Sequence, residues 1–172
     1  DDFEVEANMF ASGALFQLDR FEEEIAAFTG ARHAIAVVNG TAALHTSLIL
    51  ADVQANDFVI LPNLTFAASA NAISYLGADP LLCDVRSDTW QLNIDLLEKW
   101  LEKNTAIEGN TLLHLETGRR ISAIMPVHIL GNMVDMDRLV VLAERFKLTV
   151  IEDAAEGLGS FQKGRHAGTI GA

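Results

Sequence analysis

Asp153 and Glu156 stand three residues apart, directly after an apolar run, in the stretch VIEDAAEGLGSFQKGRHAGTIG. If a helical turn follows that run, both carboxylates lie on one side of it. Paired acids at this spacing suit several chemistries. A glycosidase pair needs a sugar cleft, which no part of the sequence announces. A metal site wants more His or Asp at ligand spacing, and no H-x-H, H-E-x-x-H or paired Cys exists. A carboxylate beneath a pyridinium nitrogen needs an aromatic cofactor. Helix-start charges that complement the dipole need nothing more. Glu152, next to Asp153, reads as a structural acid.

The glycines of the same stretch suggest a phosphate loop, but the pattern fails. In GSFQKGRH, Arg165 stands where G-x-x-x-x-G-K-[ST] requires lysine, and His166 where it requires a hydroxyl. G-x-G-x-x-G fails as well, so Gly159 to Gly168 reads as a tight turn with a hairpin. NGTAAL, from Asn39 to Leu44, is a better anion site, because it follows an apolar run and opens a helix. Gly40 permits close approach of a ligand. The N–H groups of Thr41 and Ala42, with the Thr41 hydroxyl, could point at an anion, and an ordinary Thr41 N-cap explains the same residues.

Other side chains offer both a structural and a chemical use. Phe66 follows Thr65 and could fill a core or form a flat platform for a ring. His33, His45, His114, His128 and His166 do not cluster in sequence, and His128 is expected as a hydrogen-bonded structural histidine near a cleft. Arg119 and Arg120 could meet an anion but fit a solvated turn. Cys83, the one cysteine, sits in the apolar run PLLCDV and reads as a packed small hydrophobe. Lacking an internal disulfide partner, it points to a reducing cytoplasm.

These residues need elements to position them. HAIAVV (His33 to Val38) reads as a buried strand, TAALHTSLILA (Thr41 to Ala51) as a helix, DFVILP as a strand, FAASANAISYLG as a helix ending at Gly77, and PLLCDV as a strand. NIDLLEKWLEK follows as a helix with Ile94, Leu97 and Leu101 inward. A polar segment whose middle pairs locally then leads through the turn ETGRR. ISAIMPV is a strand, DMDRLVVLAERF a helix with Met136, Leu139, Val140, Ala143 and Phe146 on one stripe, and LTVIED a strand. The alternation predicts an α/β fold, three layers α/β/α around a mainly parallel sheet. Ligands of such sheets bind at the carboxyl ends of the strands, where NGTAAL, PNLTF, CDVRSDTW, PVHILG and EDAAEGLG lie.

The 172 residues are half hydrophobic, with 24 Asp plus Glu against 12 Lys plus Arg and a net charge of −12. That composition supports a sizeable core and argues against nucleic acid or an anionic membrane as partner. DDFEVEANMF lacks a signal peptide's basic start and apolar core, and no apolar run reaches membrane-spanning length.

Taken together, VVNGTAALH, PNLTFAASANAISYLGADP, DVRSDTWQLN, AIMPVHILGNMVDMDRL and VIEDAAEGLGSFQKGRHAGTIG, in this order, resemble the DegT/DnrJ/EryC1/StrS family of sugar aminotransferases. That family uses pyridoxal 5′-phosphate (PLP) on the aspartate-aminotransferase fold. The resemblance implies PLP-phosphate contacts at Gly40, Thr41 and Ala42, stacking by Phe66, and a ring-nitrogen partner in Asp153. It places Glu156 near the ring's 3-oxygen, where a proton is expected to relieve its repulsion from the phenolate. It implies glutamate and a 4-keto sugar nucleotide as substrates, and TGRR resembles the branch acting on UDP-4-keto-6-deoxy-N-acetylhexosamines.

The family's Schiff-base lysine follows a later strand, and Lys99, Lys103, Lys147 and Lys163 do not match its motif. The resemblance therefore implies that residues 1–172 are part of a PLP-binding large domain, without the small C-terminal domain, and that this chain alone does not complete the cycle. A non-catalytic phosphate-binding or assembly module is the alternative. In the family fold the strand at His33 to Val38 pairs outside this stretch, and so does the outer edge of LTVIED. Open edges predict a homo-oligomer, a swapped assembly, or an unusual placement of His33 to Val38.

Overall fold

The computed structural model describes residues 17–171. Residues up to Val37 form one compact unit and those from Val38 onward another. The first unit holds helix α1 (residues 17–29), closed by Gly30 at φ 76°, and then a chain without strand pairing.

The expected strand His33 to Val38 is not formed. Its β-branched residues supply strand propensity, but a ladder needs a neighbour, and no strand among the described residues pairs with it. One of its donors is already taken: the Ala36 N–H donates to Glu22 at 2.7 Å. Ile35 is left 79% exposed and Val38 89%.

The second unit contains α2 (Gly40–Leu50), β1 (Phe58–Pro62), α3 (Ala67–Ser74), β2 (Asp79–Cys83), α4 (Ile94–Asn104), β3 (Thr105–Glu108), β4 (Thr111–His114), β5 (Arg120–Ile124), a 3-10 turn (Ile129–Gly131), α5 (Met136–Phe146), β6 (Thr149–Val150), β7 (Phe161–Gln162) and β8 (Arg165–His166). β2, β1, β5 and β6 are parallel neighbours in that order. The hairpin β3–β4 joins them antiparallel, on the edge of β5 that β6 also uses. The polar segment after α4 therefore does pair locally. The sheet is mixed and mainly parallel, with β4 covering the start of that edge and β6 its end. LTVIED contributes a two-residue ladder, Thr149 and Val150, and a further parallel bridge at Asp153, with β5 and its extension as its one partner among the described residues.

Side-chain alternation along β1 divides the core. Ile60 faces the α4 and α5 layer, packing with Leu97, Leu101, Leu139 and Phe146. Val59 and Leu61 face α2 and α3, packing with Leu44, Leu48, Ala72 and Ile73. A bulge opposite Phe58 and Val59 shifts β5, so that Ile121 and Ala123 reach opposite layers. α4 and α5 carry their apolar stripes as expected, each started by a side-chain cap from Asn93 or Asp135. Between β7 and β8, Lys163 (φ 50°) and Gly164 (φ 79°) make the two left-handed turn residues of a tight hairpin.

Candidate functional site

The carboxyl ends of β1, β5 and β6 converge on Asp153. Beyond β6 the chain continues beside β5's extension, with Val127 bridged to Asp153, Asp153 N–H donating to the Pro126 carbonyl and His128 N–H to the Asp153 carbonyl. Alternation continues past Val150. Val150 joins the α4/α5 layer and Ile151 the α2/α3 layer. The two acids that follow part accordingly.

Asp153, 7% exposed, meets α3: the Ser69 hydroxyl donates to its Oδ2 at 2.7 Å. Its Oδ1 accepts the Ala155 N–H at 3.2 Å. Ser69 is itself fully buried and has the Thr65 hydroxyl 2.9 Å behind it. Sequence reading missed Ser69, because it looks like one of several small residues in FAASANAIS and its partner lies 84 residues away.

Glu152 turns the other way and is the structural acid expected of it. Its side chain is 3% exposed and accepts four donors: His128 Nε2 at 2.9 Å and the N–H groups of Gly168, Ile170 and Gly171. Burial pushes its carboxyl up, but the hydrogen bonds, led by His128, outweigh burial and hold it below its ordinary value. His128 is the structural histidine expected. Its Nδ1 accepts the Val134 N–H at 3.3 Å, so Nε2 carries the proton that goes to Glu152.

Glu156 does not follow Asp153 on a helix. A reverse turn closes from Gly157 N–H to the Ala154 carbonyl. The exposed Glu156 carboxylate accepts the N–H of Leu130, a residue at φ 55°, at 2.6 Å.

At the exit of β1, Phe66 precedes α3 and is 81% exposed, which removes core packing as its role. At α2, the start differs from expectation. Asn39, not Thr41, is the N-cap, and its Oδ1 accepts the Ala42 N–H at 2.9 Å. Ala42 therefore has no free N–H to offer an anion. The N–H groups of Gly40 and Thr41 and the Thr41 hydroxyl keep no partner among the described residues, and the space where a Gly40 Cβ would project is open for 4 Å.

Arg119 and Arg120 belong to the opposite end of the strands. Arg119 binds Asp79 and the Asn56 carbonyl and lies 3.8 Å over the Phe58 ring. Arg120 binds the buried Asp57 and the Asp52 carbonyl. Both are half-buried clasps on the loop before β1, neither a solvated turn nor an anion site. Burial pushes the Cys83 thiol up to about 11, which suits a packed residue and not a nucleophile. No group of three or more metal-ligating side chains occurs among the described residues. Nor is any helix among them long and apolar enough to cross a membrane.

A buried acceptor, an exposed aromatic face and a helix start with unused donors share one end of a parallel sheet. They fit a flat, nitrogen-containing ring that carries a phosphate. Residues 5–172 match the DegT/DnrJ/EryC1/StrS aminotransferase family, and the chain belongs to it. It is 40% identical over 151 residues to GDP-perosamine synthase of Caulobacter vibrioides, covering 88% of this chain and 36% of that protein. Among solved structures, it superposes on a family aminotransferase from Brucella abortus with a TM-score of 0.80 and 28% identity, over 99% of this chain and 45% of that one. It also superposes on Bacillus subtilis NtdA with bound cofactor PMP, the amine form of PLP, with a TM-score of 0.73 and 31% identity, over 87% and 31%. The chain thus spans about a third to under a half of these relatives. The fold is that of the PLP fold type I aminotransferases, as the resemblance implied.

Proposed function

We propose that this chain supplies the cofactor-holding part of a PLP-dependent aminotransferase that moves an amino group from glutamate to a 4-keto sugar nucleotide, as a homo-oligomer. The observation that carries the reading is Asp153, a buried acceptor fixed by α3 at the carboxyl end of the sheet of a family member. When bound, PLP supplies a ring that takes up carbanion charge. The protein's part is to hold and tune it. Gly40 and Thr41 donate N–H groups, and Thr41 its hydroxyl, to the phosphate at the positive end of α2. Asn39 and Ala42 shape that helix start, Phe66 offers a ring face, and Asp153 accepts a hydrogen bond from the protonated ring nitrogen. Glu156 stands toward the ring's 3-oxygen, steadied by the Leu130 N–H.

Pyridoxamine 5′-phosphate tests this, since its binding needs no Schiff-base lysine. Titration followed by absorbance is expected to saturate. Thr41→Ala is expected to weaken binding about tenfold, in keeping with loss of a hydrogen bond to a charged group. Asp153→Asn is expected to shift the bound absorbance band. Absence of saturable binding, or binding indifferent to both changes, would overturn the reading.

A further inference from the structure

Asp153 has two oxygens, and the protein assigns them unequal partners. Oδ1 accepts a backbone N–H at 3.2 Å, and Oδ2 accepts the Ser69 hydroxyl at 2.7 Å. Ser69 has a single proton, and a carboxylate can only accept, so that proton goes to Asp153. The contact of 2.9 Å between Thr65 and Ser69 must then be donated by Thr65. The row runs from Thr65 to Ser69 to Asp153, with the Phe66 carbonyl at 3.3 Å as a second, longer acceptor for the Thr65 proton. Each donor polarises the next, and the row ends at the carboxylate.

We propose that Ser69 is a positioning residue, backed by Thr65, that fixes the rotation of the Asp153 carboxylate and holds the shared proton on the ring nitrogen rather than on Asp153. The proposal rests on the cofactor reading above. Between a carboxylate and a pyridine nitrogen, one proton can sit on either partner. A hydroxyl donated into the carboxylate favours the arrangement in which the carboxylate is the anion and the ring is protonated. Taking that hydroxyl away favours the neutral pair. Ser69 is fully buried and acts through Asp153. Its place on α3 also ties this acid to the helix that begins just after Phe66, so the acceptor and the aromatic face are set by one element.

The experiment uses the whole chain loaded with pyridoxamine 5′-phosphate labelled with nitrogen-15 in the ring. The ring-nitrogen chemical shift reports directly where the proton lies. Ser69→Ala is expected to move the signal toward the unprotonated value, with the ratio of the two arrangements changed about tenfold, the size expected for one hydrogen bond to a charged group. Ser69→Thr, which keeps the hydroxyl, is expected to restore the original shift. Thr65→Val, at the outer end of the row and half-buried, is expected to move it in the same direction by less, and it serves if Ser69→Ala fails to fold. An unchanged shift in a folded Ser69→Ala chain, or in Thr65→Val should Ser69→Ala not fold, overturns the relay, as does Ser69→Thr behaving like Ser69→Ala. Asp153→Asn separates the two levels. If it too leaves the signal unchanged, or if the unaltered chain binds no pyridoxamine phosphate, the cofactor reading falls and takes the relay with it. If it shifts the signal while Ser69→Ala does not, only the relay falls.

Discussion

Glu152 carries a clear energetic signature for a single residue. One buried carboxylate accepts four donors, three of them backbone N–H groups from residues 168–171. Glu152→Gln keeps one acceptor oxygen and turns an NH₂ toward groups that can only donate. The variant is expected to lose about 2–3 kcal/mol of unfolding free energy in a denaturant titration. The pH dependence follows from the direction of the shift. A carboxyl held low in the folded state contributes stability that is present above its unfolded value, and loses it as pH falls through the folded value. Melting temperatures of the native chain are expected to drop over that acidic window, and those of Glu152→Gln to drop less steeply. Residue types and spacing marked Glu152 as structural and brought Asp153 and Phe66 into view, but with helix-start charge and core packing as equally available uses. Only the family resemblance gave those two a cofactor role to expect. Types and spacing were not enough to find Ser69, Asn39's hold on Ala42, or the clasps made by Arg119 and Arg120. Asn39's hold on Ala42 is local, three residues on, and was hidden by Thr41, an equally good cap two residues later. The roles of Arg119 and Ser69 depend on partners that the fold brings from 40 to 84 residues away.

Among the elements, α4 and α5 were readable because their apolar residues recur at helical spacing and their caps are local. HAIAVV misled because strand identity is not local: the same run is a strand only where another strand meets it. β6 shows the intermediate case, a strand held to two residues by one neighbour. Its position is nonetheless tightly set on the side of the returning chain. A Cβ on Gly171 would stand 2.7 Å from the Val150 carbonyl oxygen, and backbone cannot swing aside as a side chain can. Gly171→Ala is expected to cost about 1–3 kcal/mol, read as a lowered denaturation midpoint. The same substitution at Gly159, whose Cβ would meet nothing, brings no clash, only the strain of φ 84°.

At the scale of the whole molecule, each unit leaves strand-forming surface unused. The outer edge of β6 has no partner among the described residues, and Ile35 and Val38 are largely exposed. Unpaired strand edges and exposed β-branched residues favour association with other chains. Sedimentation velocity is expected to give a dimer or larger species at micromolar concentration, and a persistent monomer would contradict the proposed homo-oligomer. The sequence announced a three-layer α/β molecule because burial on both sheet faces leaves continuous apolar strands between amphipathic helices. It could not announce the bulge in β5, which swaps the facing of Ile121 and Ala123 with no special residue type to mark it.

The adjacency of Glu152 and Asp153 has one more consequence. Two acids side by side on an extended chain work as a phase mark: the longer one reaches a cage of donors on one side of the sheet, and the shorter one meets the Ser69 hydroxyl on the other. A deletion of one residue just before them would press an aspartate too short for four donors into the cage, Glu152 into the apolar slot of Ile151, and Ala154 into the place of the acid that meets Ser69. The chain's frame at this point is thus written twice, once on each face of the sheet, and neither can drift without the other.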